Sequence, residues 1–108
     1  MKHIEARLVV PLAPNKGSDL SPATYRGRLG RLERNLIRLF GGFTSYDGHG
    51  AYDNGDTIQY EKVRVYLLGF EGVANDPVLH YLRNTVKERL DQRAVYLSHT
   101  LLEDEPVQ

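Results

Sequence analysis

Positions 2–10 alternate between two sides, with Ile4, Ala6, Leu8 and Val10 on one and His3, Glu5, Arg7 and Val9 on the other. That is the period of a half-buried strand, which Pro11 and Pro14 close. From Tyr25 the apolar residues fall at 25, 29, 32, 36 and 39, one face of a helix. Ser21-Pro22 supplies its start, and Gly41-Gly42 its stop. Phe43–Tyr52 reads as a second strand and Thr57–Leu68, rich in Val, Ile and Tyr, as a longer third. Between them Asn54-Gly55 is the dipeptide that a tight hairpin prefers. "GFEGVAND" reads as a loop, after which Asp76-Pro77 opens a second helix with Leu79, Leu82, Val86 and Leu90 as its buried stripe. Ala94–Leu101 is the last strand. The order β-α-β-β-α-β predicts an α+β, ferredoxin-like domain over residues 1–101, a four-stranded antiparallel sheet with both helices on one face. Residues 102–108 read as an acidic tail.

With the helices over Ile4, Ala6, Leu8 and Val10, the same phase puts Val63, Val65 and Leu67 of the third strand beneath them. The opposite face then presents His3, Glu5, Arg7 and Val9 beside Tyr60, Lys62, Arg64, Tyr66 and Leu68. A half-aromatic, half-charged face of this kind needs an occupant. Three fit: a single-stranded nucleic acid stacked on the tyrosines, a second copy of the chain, or a small ligand held where Tyr46, His49 and Tyr52 lie close to Arg64. The nucleic-acid reading is the weakest, because the third strand reads "YEKVRVYL" where RNA-recognition domains of this fold carry a basic-Gly-aromatic pattern.

Composition narrows the classes. A chain of 108 residues with 41% apolar content is one domain with a core of its own. There is no cysteine, which removes disulfides and thiolate metal sites and suits a reducing cytoplasm. The apolar run before Pro11 is too short for a signal-peptide core or a membrane span, so a soluble cytoplasmic protein is expected, with no membrane partner. Formal charge is zero, from 14 basic and 14 acidic side chains, which argues against a general polyanion binder. Residues 1–40 nevertheless carry eight Lys/Arg against three Asp/Glu, while residues 41–61 carry four acids and no base. A chain with one basic and one acidic region favours meeting its own copies. On the first helix Arg31, Arg34 and Arg38 form a basic stripe, either a solvated face or a dock for an anion or acidic partner.

"GGFTSYDGHGAYDNGD", residues 41–56, is the one stretch that looks like a signature. No helix follows its glycines, so it is not a phosphate-cradling fingerprint. Its aspartates miss calcium-loop spacing, and His49 has no second histidine at ligand spacing. Gly48 and Gly50 lie inside a strand pattern, where glycine marks a bulge or the close approach of another group.

"LFGGFT", "GHGAY", "YEKVRVYLL" and "LDQRAVYL" together resemble a loosely defined family of small bacterial and phage proteins. Its pattern is Phe-Gly-Gly-x-Thr, a Gly-x-Gly-x-aromatic hairpin, a glutamate ahead of a Val-rich strand, and a Gln-x-Ala-Val strand opening. The resemblance spans about residues 32–97, with Thr44, Gly48, Gly50, Tyr52 and Glu61 on the motif. Tyr52 stands where similar proteins often have tryptophan, and Arg93 where they often have glutamate. The resemblance implies the ferredoxin-like fold and frequent oligomers. Some small phage proteins of this kind sequester a host signal nucleotide or block a host protein.

Two functions follow. The first is a non-catalytic, homo-oligomeric binding protein without cofactor or metal, a homodimer or higher, that captures a small anionic ligand or a host protein. Its binding residues would be Thr44, Tyr46, His49, Tyr52, Glu61, Lys62, Arg64 and Tyr66. The second is a cofactor-independent enzyme of the dimeric α/β-barrel type, with His49 as acid/base and Tyr46 or Tyr52 orienting an oxygen.

Overall fold

The computed structural model describes residues 3–53, 55–71 and 77–102. β1 (His3–Pro11), α1 (Pro22–Phe40), β2 (Thr44–Asp53), β3 (Ile58–Glu71), α2 (Pro77–Arg89) and β4 (Tyr96–Leu102) follow one another in the expected order. The four strands form one antiparallel sheet in the order β2-β3-β1-β4, and the fold is ferredoxin-like. α1 begins as its sequence requires: the Ser21 hydroxyl accepts from the Thr24 amide at 3.1 Å and Pro22 occupies the first turn. It ends at Gly41, whose φ of 80° lets the cap amide bond the Ile37 carbonyl. Gly55 also has a positive φ in the hairpin turn; its neighbour Asn54, Asp76 and the acidic residues 103–108 lie outside the described residues. β3 is longer than its pattern suggested, since Gly69, Phe70 and Glu71 pair with Glu5, Ile4 and His3 rather than opening the loop. Fourteen residues at about 3.3 Å each make β3 comparable in length to the molecule's longest dimension, 45 Å.

The core is a single cluster in which Ala6, Leu8 and Val10 of β1 meet Tyr25, Leu29, Leu32 and Leu36 of α1 and Leu79, Leu82, Val86 and Leu90 of the α2 region. The β1 phase is as expected. The β3 phase is the reverse. Directly opposite residues of an antiparallel ladder share a face, and the register sets Leu8 against Tyr66, Ala6 against Leu68 and Val10 against Arg64. Tyr66 and Leu68 are therefore fully buried beneath the helices, at 0% exposure. Val63, Val65 and Leu67 lie on the opposite, open face with Val9. Both sides of "VRVYLLGF" are apolar, so alternation alone left the phase undetermined, and the bulkier set of Tyr66, Leu68 and Phe70 took the helix side. The larger side chains bury more area there.

Arg64 goes with Tyr66. Its guanidinium, taken beforehand as free on the open face, points to the helix side and donates Nε–H to Asp47 Oδ1 at 2.8 Å, with Glu33 of α1 at 3.5 Å. The hydrogen bond from Arg64 holds the Asp47 carboxyl below the usual carboxylate range, and the same bond raises the Arg64 guanidinium. The charge is thus taken up within the chain.

Candidate functional site

β2 and β3 pair without interruption from Thr44 opposite Leu67 to Asp53 opposite Ile58, so the hairpin has no bulge and its faces alternate strictly. Thr44, Tyr46, Gly48, Gly50 and Tyr52 share the open face with Leu67, Val65, Val63, Glu61 and Gln59. His49 and Lys62, which are opposite each other, lie on the helix side with Arg64 and Tyr66. The expected cluster of Tyr46, His49 and Tyr52 around Arg64 is therefore split between the two sides of the sheet. His49 faces away from both tyrosines, which leaves the acid/base arrangement of the enzyme reading unassembled within one chain.

The glycines of "GHGAY" have a local reason. A Cβ on Gly50 would sit 2.5 Å from Tyr52 Oη and 2.7 Å from its ring, because the Tyr52 ring folds back along its own strand over Gly50. An aromatic ring covering a glycine of an edge strand shields backbone that has no side chain of its own. The ring thereby comes beside Glu61, the residue opposite Gly50, whose carboxylate bears on the Tyr52 phenol. Partial burial, then the nearby Glu61 carboxylate, raise the Tyr52 phenol above its ordinary value.

This pair forms one wall of a cleft of about 400 Å³ at the end of the open face. Val9, Pro11 and Val63 lie beneath it, and Gln92, Arg93, Ala94, Val95 and Tyr96 form the far wall, with Asn15 and Gln59 at its margins. The far wall is anchored from behind. Buried Gln92 donates Nε2–H to Tyr25 Oη at 3.0 Å, and Tyr25 donates its hydroxyl to the Pro11 carbonyl at 2.7 Å. Asn15 and Ser18 bond Asp91, which has a φ of 51°, at 3.0 and 2.8 Å. Tyr52, Glu61 and the Gln-Arg-Ala-Val segment, distant in sequence, thus converge on one cleft.

Of the residues expected at the site, Tyr52 and Glu61 are in the cleft. Tyr46 and Thr44 share its face but do not line it; they lie six and eight residues along the strand from Tyr52, about 20 and 26 Å of extended chain. Lys62, His49, Arg64 and Tyr66 are on the other side of the sheet. Arg93, Gln92, Asn15, Gln59 and Tyr96 were missed. Gln92 and Arg93 sit within the Gln-x-Ala-Val segment that carries the resemblance, which was the available signal.

No family model matches the sequence, and no curated protein does either. Among solved structures the chain is similar to the periplasmic divalent cation tolerance protein CutA from Archaeoglobus fulgidus, with a TM-score of 0.60 and 10% identity. The alignment covers 96% of this chain and 87% of that one. What the two share is the ferredoxin-like fold. Among the described residues no helix is long and apolar enough to cross a membrane.

The Gly50 geometry yields a direct test. Gly50→Ala should leave stability unchanged or raise it by up to about 1 kcal/mol, since glycine is unfavourable inside a strand and the half-exposed Tyr52 ring is free to swing away. Its phenol should then titrate lower, toward its ordinary value, as burial and the Glu61 contact are lost. A tyrosine-resolved NMR titration of the two proteins checks this, and an unmoved Tyr52 resonance would show that the ring does not depend on Gly50.

Proposed function

We propose that the protein is a cytoplasmic, non-catalytic, homo-oligomeric binding protein whose open-face cleft takes a small anionic ligand. The convergence of Tyr52, Glu61 and Gln92–Val95 on one cleft carries this reading. Within the cleft, Arg93 is the cation for an anionic group, Glu61 accepts from an amino or ring N–H, and Tyr52 and Tyr96 offer ring faces. That combination suits a nucleotide, and the resemblance adds host signal nucleotides as the class to try first. The divalent-cation description belongs to the structural neighbour; among the described residues no group of three or more His, Asp or Glu side chains is placed to hold a metal ion.

A second copy is the occupant of the remaining open face. Val65 is 7% exposed between Tyr46 and Tyr96, which are 49% and 61% exposed, so an apolar centre is flanked by uncovered aromatic rings. Glu5 and Arg7 project from the same face and pair across a two-fold axis. Native mass spectrometry of the full chain, purified from expressing cells, tests both halves. An oligomer that retains a small molecule is expected, with Tyr96→Asp giving a monomer that still folds. Arg93→Gln should release the ligand while the oligomer persists. A monomeric wild type, or one that holds a cellular protein in place of a second copy, refutes the self-association; a ligand unaffected by Arg93→Gln removes the cleft assignment.

A further inference from the structure

A second concave feature lies between the two helices, away from the open face. Arg28 and Arg31, one turn apart on α1, and Arg89, the last residue of α2, line a depression of about 240 Å³. Arg28 Nη1–H donates to the Arg89 carbonyl at 2.9 Å, which pins the start of α1 to the end of α2 and holds the Arg28 guanidinium in place. Among the described residues none of the three side chains pairs with a carboxylate; the ion pairs formed involve His3 and Arg64 instead. Three like charges gathered from two elements repel one another; the carbonyl end of α2 meets the Arg28 guanidinium, and among the described residues no carboxylate pairs with any of the three.

We propose that Arg28, Arg31 and Arg89 bind a compact oxyanion, a phosphate or pyrophosphate group. Guanidinium forks match such oxygens with paired, charge-assisted hydrogen bonds. The depression is smaller than the roughly 300 Å³ at which sites for drug-sized ligands begin, so it fits the anion and not a whole nucleotide. Capping of α2 by Arg28 accounts for one donor of one residue, and leaves Arg31 and the Arg89 side chain unexplained. The stripe legible in the sequence is not the site: Arg34 and Arg38 do not line the depression, and Arg89 comes from the other helix.

Calorimetric titration of the full chain with sodium pyrophosphate at low ionic strength, with sodium chloride as control, tests this. One pyrophosphate per chain is expected. Arg31→Gln and Arg89→Gln should each weaken it about tenfold, while Arg38→Gln, on the same helix but outside the depression, leaves it unchanged. Circular dichroism verifies that the exposed-site variants fold. No binding, or binding indifferent to Arg31→Gln and Arg89→Gln, overturns the proposal. Equal weakening by Arg38→Gln overturns it too, since that pattern is diffuse attraction to positive charge. The open-face reading stands or falls separately, on the retained ligand.

Discussion

Tyr66→Ala is expected to cost about 3–5 kcal/mol of folding stability, the range for losing a buried aromatic ring, whereas Tyr66→Phe should cost nothing or stabilise slightly. The ring has no exposure and meets Phe43 edge-on, centroids 5.1 Å apart. Its hydroxyl, in contrast, is buried without a well-aligned hydrogen bond. Burial pushes the phenol well above its ordinary value, the Glu33 charge adds to the rise, and Arg64 opposes it. Deleting an unsatisfied buried polar group removes a desolvation penalty without breaking a bond. Urea denaturation of the two variants distinguishes the faces of the sheet. If Tyr66 were on the open side, alanine would cost well under about 1 kcal/mol, as surface substitutions do, and the helix-side assignment would fall.

Tyr25→Phe should cost about 1–3 kcal/mol, because one oxygen serves two buried partners and its loss leaves both without it. The Pro11 carbonyl loses its donor at 2.7 Å and Gln92 Nε2 loses its acceptor at 3.0 Å. The same hydroxyl gives an alkaline signature. Burial pushes it up to about 12 from an ordinary 10.0, with Gln92 opposing and the Glu61 charge adding. Below pH 10 both folded and unfolded chains keep the proton, and this group adds no pH dependence. Between 10 and about 12 the unfolded chain sheds a proton that the folded one retains, so stability declines as pH rises. Denaturation midpoints over that interval should fall less steeply in Tyr25→Phe. A variant as stable as the parent, with the same alkaline slope, would mean that Tyr25 does not anchor the Gln92–Tyr96 wall.

Element order and the β1 phase were legible because each rests on local chemistry: strict alternation in 4–10, a serine-proline start, a double-glycine stop. The β3 phase was not. In "VRVYLLGF" both parities bury well, and Arg64 looked like a marker of the wet side when its charge is in fact met by Asp47 and Glu33. That one inversion moved Lys62, Arg64, His49 and Tyr66 off the face to which they had been assigned. Tyr52 and Glu61, on β2 and β3, line the cleft; the motif, not the phase, had selected them. Gln92 and Arg93 reach the cleft through a loop whose path depends on Asp91 taking a left-handed backbone and on bonds to Asn15 and Ser18. Periodicity carries no information about such a loop. The arginine depression was hidden for a related reason: its third member lies on a helix almost sixty residues away in the chain.

The ring of Tyr52 lying across Gly50 makes those two positions a single heritable unit. Among descendants of this chain a side chain at 50 is tolerated by the fold but pushes the aromatic two residues later off the cleft wall, so wherever the cleft is in use the pair would drift together or stay together. Variation at either one alone marks a lineage that has rebuilt the pocket for a different guest.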